Sequence, residues 1–164
     1  MPYIYKKIKY KFLDFLPLII LFFISFNGFS IINLKFFSIN LGYILVYFWI
    51  LRYPERLGYG YIFLSGLVND VVFGLPLGIN ALSFLIIASI AAYVRVLTVR
   101  ITLINDWISF IPALLIANFF YFIALYFSDY PLDYILLFKD SVSTFIFYPI
   151  LWIFFSMILK LIKT

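Results

Sequence analysis

The chain contains no cysteine and no histidine. The first absence removes disulfides and thiolate nucleophiles, the second removes the side chain that titrates near neutrality, and together they take away the usual transition-metal ligands. Charge is scarce too: 12% of the 164 residues are Asp, Glu, Lys or Arg, against about 25% in soluble globular domains. Most familiar enzyme chemistries lack the groups they need, and no cofactor is expected. What is present is 66% hydrophobic and 24% aromatic, with a mean hydropathy of +1.14. That composition belongs to an all-α polytopic membrane protein. The net charge of +5 does not point to nucleic acid, because the bases sit singly or in small groups beside apolar runs, where topology accounts for them.

Uncharged runs cover residues 15–34, 36–51, 107–128 and 141–159, and residues 57–94 hold a single charge, Asp70. As one helix that 38-residue stretch would be about 57 Å long, roughly twice a bilayer core, so it must fold back. The pattern predicts one transmembrane domain over residues 1–164, with a basic leader at 1–11 and six helices near 13–33, 37–52, 57–74, 79–98, 106–127 and 141–160. The leader precedes an apolar run but lacks a small-residue cleavage site, so it reads as a retained cytoplasmic anchor. Six crossings place the leader, the 52–56 and 95–105 loops and the C-terminus on one side, with ten of the twelve bases. By the positive-inside rule that side, with both termini, is cytoplasmic.

Several local expectations follow. Asp14 falls in the first turn of the first helix, where it opposes the helix dipole. A turn is expected at Asn33 to Lys35, and the second span, at 16 residues, is short for a crossing. Asn105 and Asp106 are expected to cap the fifth helix. Asn118 lies mid-membrane and needs a partner. Residues 128–140, with three acids and one base, read as the longest hydrophilic loop.

The informative stretch is residues 54–82, PERLGYGYIFLSGLVNDVVFGLPLGINAL, the one apolar segment interrupted by polar, acidic and glycine residues. Gly74, Pro76 and Gly78 end one helix and permit a tight turn into the next. At about 100° per residue, Arg56, Phe63, Leu67, Asp70 and Gly74 share one face within roughly 60°, a face ordered for packing. A carboxylate at the depth of Asp70 costs about 2.5–3.5 kcal/mol unless it meets protein or water. Asp70 should therefore point into the bundle or a wet cleft, in an interhelical or partner-binding role. A proton or ligand site is the alternative, and catalysis lacks the second titrating group it would need. Gly66 is placed to admit a neighbouring helix, and Ala81, Ala88 and Ala92 share one side of the next helix. The candidate partner-binding or packing residues are thus Arg56, Phe63, Gly66, Leu67, Asp70, Gly74, Gly78 and Ala81, with none catalytic and none for metal.

The set Pro54, Arg56, Phe63, Gly66-Leu67, Asp70, Gly74, Leu77-Gly78 and Ala81-Leu82 resembles the central motif of the MreD family, integral-membrane rod-shape-determining proteins of bacteria. The resemblance covers about 30 residues and is specific in its spacing, while the rest matches in length and hydropathy. It implies a non-enzymatic scaffold or regulator of cell-wall elongation in the bacterial cytoplasmic (inner) membrane, organising peptidoglycan synthesis and maintaining rod shape. It also implies MreC as partner, with RodA and its penicillin-binding transpeptidase and the actin-like MreB in the same complex. The fold it implies is that of the substrate-binding subunits of energy-coupling-factor transporters. Because the cytoplasmic segments are minimal, a direct MreB contact would have to use the leader or the 52–56 and 95–105 loops. The rival reading is a small-molecule, vitamin-type transporter subunit, with Asp70, Asn69, Asn80 and tyrosine hydroxyls around an outward cleft. A lipid-modifying enzyme is disfavoured by the lack of paired acids and bases.

Overall fold

The computed structural model describes residues 15–33, 38–98, 102–131 and 133–163. The 1–11 leader, Asp14, Lys35 and part of the 95–105 loop lie outside the described residues. Helix α1 runs Phe15–Phe26, followed by two short strands, β1 (Ile31–Asn33) and β2 (Ser38–Asn40), and then α2 (Leu41–Arg52). A 3₁₀ turn (Pro54–Arg56) leads to α3 (Tyr59–Phe73), α4 (Ile79–Leu97), α5 (Leu103–Phe127) and α6 (Tyr134–Lys163). Helices α4, α5 and the Tyr134–Lys160 part of α6 are long and apolar enough to cross a membrane. Their outward faces are apolar as well: α5 exposes Ile104, Ile108, Leu115 and Phe119, and α6 exposes Ile146, Ile150, Ile153 and Met157. Contiguous apolar surface on this scale suits lipid and not water. Helix α1 repeats the arrangement, with Phe15, Ile19, Phe23 and Phe26 outward and Leu21 and Ser25 buried.

The six expected helices are present, but the bounds of four of them differ from expectation. The first helix stops at Phe26, not near residue 33, because residues 31–33 pair antiparallel with 38–40, in the register Ile31 to Asn40, Ile32 to Ile39 and Asn33 to Ser38. Non-helical backbone at this position is tolerated because its polar groups are satisfied inside the protein. Beyond the ladder, the Asn40 amide donates to Thr144 Oγ1 at 2.8 Å and the Gly42 amide to the Ser30 carbonyl at 3.3 Å.

The second helix begins at Leu41 and has 12 residues, about 18 Å. It is not a lipid-facing rod: residues 42–51 are all buried, as expected of a helix that is apolar on every side. It forms the axis of the bundle, packed against α4 and α6. Tyr47 joins Phe110 of α5 (centroids 4.9 Å apart) and Tyr148 of α6 (6.0 Å), and Phe110 stacks on Tyr148 at 4.7 Å.

The sixth helix begins at Tyr134, so most of the expected 128–140 loop is helical. Asp133 starts it: its Oδ1 accepts from the Leu136 amide at 3.0 Å, the geometry of an N-cap. Lys139 and Asp140 therefore lie on a helix and not in a loop. The fifth helix also begins earlier than expected, at Leu103, where Thr102, and not Asn105 or Asp106, is the capping residue and accepts from the Asn105 amide. Asn118 has the partner it needs, donating to Ser141 Oγ at 2.7 Å.

Candidate functional site

The α3–α4 hairpin is organised by one side chain. Asp70 lies in the last turn of α3 and is fully buried. Its Oδ2 accepts from the Gly78 amide at 2.7 Å and its Oδ1 from the Asn80 amide at 2.8 Å. Both donors belong to the first turn of α4, whose leading amides have no partner within their own helix and whose positive dipole end favours an anion. The backbone of Asp70 contributes too: its carbonyl accepts from the Leu75 amide at 2.9 Å while the Gly74 amide bonds Val71 O at 3.2 Å, the paired closure of a Schellman motif. One residue thus terminates α3 and starts α4.

The two glycines supply the torsions this closure requires, φ +64 at Gly74 and φ +103 at Gly78. Nothing lies within 4 Å of where a Cβ would stand at either position. The reason for glycine there is conformational and not steric. Gly66 is the reverse case. A Cβ on it would lie 2.7 Å from the Ala81 backbone nitrogen, so the absence of a side chain lets α3 and α4 touch backbone to backbone. Ala81, Ala88 and Ala91 of α4 are buried, and Ala92 is only half-buried.

Not all the expected residues share this face. Ile62, Ser65, Gly66, Asn69 and Asp70 are the buried positions of α3, a set rotated by about 100°, one residue's step, from the predicted face. Phe63 is 41% exposed, Leu67 is half-buried, and Arg56 sits at the far end of α3 from the turn, its guanidinium 4.4 Å from the Tyr53 ring centroid. Asn69 is held by Ser30, whose hydroxyl donates to its Oδ1, tying the hairpin to the segment before β1. Asp70, Gly66, Gly78 and Ala81 therefore form a packing unit, which Phe63 and Arg56 do not join.

Two polar sites were not anticipated. At the end opposite the α3–α4 turn, Asp106 Oδ2 accepts from Arg52 Nη2 and from Trp152 Nε1, both at 2.7 Å, and the Arg52 guanidinium lies 3.9 Å from the Phe48 ring centroid. This nearly buried ion pair joins α2, α5 and α6. The signal was present in the sequence: Arg52 closes one apolar run and Asp106 opens another on the same predicted side.

The other site is a cleft of about 230 Å³ at the turn end, between β2, α5 and α6. Ser38, Asn40, Tyr43, Asn118, Tyr121 and Asp140 line it, with Tyr130 and Asp133 at the 128–133 connection. Ser38 Oγ donates to Asp140 Oδ1 at 3.0 Å. The mixture of aromatic walls with a few polar groups is that of a small-ligand pocket. Compared with family models, with curated proteins and with solved structures, the chain matches none of them.

Proposed function

We propose that the chain is a non-enzymatic scaffold or regulator of the cell-elongation machinery, crossing the bacterial cytoplasmic membrane six times with both termini inside and binding MreC. Contact with RodA, its penicillin-binding partner and MreB would then pass through that complex. The observation that carries this reading is the division of labour on the hairpin. Its deep acid is engaged within the chain as a helix cap, while its outer face is apolar, with Val71 67% and Leu77 71% exposed. A rigid hairpin with a smooth apolar exterior suits docking against a partner's transmembrane helix. In co-purification, Val71→Trp and Leu77→Trp are expected to lose MreC and rod-shape complementation while keeping the wild-type melting temperature. Full partner retention and normal cell shape in both variants would overturn the reading.

A second reading has its own support. The turn-end cleft offers convergent tyrosine, asparagine and aspartate side chains, the feature expected of a small-molecule binding subunit of a vitamin-type transporter. Its residues are not the predicted ones, since Asp70 and Asn69 are engaged in packing. Native mass spectrometry of the purified protein separates the two readings. A retained organic ligand, lost in Asp140→Asn, supports transport, and a bare protein that holds MreC supports the scaffold.

A further inference from the structure

Helix α6 carries a proline in its interior, Pro149. Proline has no N–H to offer the carbonyl four residues back, that of Phe145, and its ring crowds the same oxygen. A carbonyl freed inside a membrane-spanning helix has no water to turn to and needs a donor from a neighbouring element. Trp107 of α5 supplies it. Its Nε1 donates to the Phe145 carbonyl at 2.9 Å, and its ring stacks on the Phe145 ring with centroids 5.1 Å apart. The residue before it holds the other side of the proline, since Asp106 Oδ2 accepts from Trp152 Nε1 at 2.7 Å. Two consecutive residues of α5 thus grip α6 on either side of its weakest point.

The two parts of α6 are anchored differently. Past the proline, Trp152 joins the Arg52–Asp106 pair, and Phe155 is buried against Phe48 and Trp49 of α2. Ahead of it the anchorage is polar: between Tyr134 and Thr144 the buried side chains are Ser143 and Thr144. Side-chain hydrogen bonds hold this part, from Ser38 to Asp140, from Asn118 to Ser141 and from the Asn40 amide to Thr144. A segment with so little buried apolar contact opens at lower cost than the rest of its fold. The same segment forms a wall of the turn-end cleft through Leu136, Leu137 and Asp140. The geometry points to a hinge at Pro149, about which the 134–148 part of α6 swings as a movable wall of that cleft, with Trp107 as the latch that holds it shut.

The test uses the full chain in lipid nanodiscs, with spin labels on pairs of introduced cysteines and the distance distribution read by pulsed electron resonance. Leu82→Cys on α4 with Phe138→Cys reports the swinging part, and Leu82→Cys with Met157→Cys reports the fixed part; all three positions are exposed. Trp107→Phe keeps the ring stack and removes the donor. It is expected to raise the share of a displaced population at Phe138 by about three- to tenfold and to leave the Met157 distance unchanged. Pro149→Ala restores the helix's own N–H to the Phe145 carbonyl, so adding it to Trp107→Phe should return the wild-type distribution. Wild-type distances at Phe138 in Trp107→Phe, an equal change at both pairs, or no rescue by Pro149→Ala would overturn the proposal. The distances are read on the protein alone, so the outcome is independent of whether the cleft takes a ligand and of whether the hairpin binds MreC.

Discussion

Asp70, Gly66 and Gly74 each have a separate physical task, and their substitutions should rank accordingly. Replacing Asp70 with Ala leaves the Gly78 and Asn80 amides without their acceptor. Loss of a helix cap costs roughly 0.5–2 kcal/mol, and with two amides affected the upper end is expected. Gly74→Ala imposes a left-handed torsion on a residue with a Cβ, at about 1–2 kcal/mol. Gly66→Ala should cost more than Gly74→Ala, because its Cβ meets the Ala81 backbone, which cannot rotate away as a side chain would. Equilibrium unfolding in mixed micelles of increasing denaturing detergent measures all three. Equal losses for Gly66→Ala and Gly74→Ala would contradict the close helix approach. Asp70 and the glycines were legible in the sequence, since an acid deep in an apolar run beside Gly-Leu-Pro-Leu-Gly leaves few alternatives. Its exact partners were not, because a carboxylate that caps the next helix and one that faces a cleft leave the same trace in the residue pattern.

Among the elements, α2 departs furthest from expectation. An all-apolar helix reads alike whether lipid or protein surrounds it, so the 16 uncharged residues 36–51 read as a short crossing, where the helix itself has only 12. Its own length is about 18 Å, and the three extended residues of β2 ahead of it add at most about 10 Å. The strands went unread because Ile31–Asn33 and Ser38–Asn40 lack the Gly or Asn-Gly signals of a tight hairpin. The start of α6 was missed because Lys139 and Asp140 read as loop charges, although Asp133 is a regular cap. The element most exposed to a single substitution is again α2, through Arg52. Asp106→Ala leaves that guanidinium nearly buried without its carboxylate, a loss of about 3–5 kcal/mol. The double variant Arg52→Met with Asp106→Leu should recover most of it, as apolar replacements of buried pairs do. If the double variant melts no higher than Asp106→Ala, the ion pair is not the source of the loss.

For the whole molecule the decisive quantity is which end faces which compartment. The chain has no cysteine of its own, so introduced thiols report without background. Leu77→Cys, at the hairpin tip, should react with an impermeant maleimide in intact cells. Glu55→Cys should react only after the cells are opened. Labelling of Glu55→Cys alone from outside would reverse the proposed orientation, and labelling of both from outside would remove the α3 crossing. The polar sites divide between the two ends, with the tyrosine-rich cleft at one and the Arg52–Asp106 pair at the other, and the aromatic core holds them apart. The Asp70 staple also bears on how the protein is made. Its acceptors and donors lie only eight and ten positions apart along the chain, so the loop can close while later helices are still on the ribosome. A carboxylate already shielded by amides enters the bilayer at far lower cost than a bare one, and the paired helices can therefore insert together as a preassembled unit.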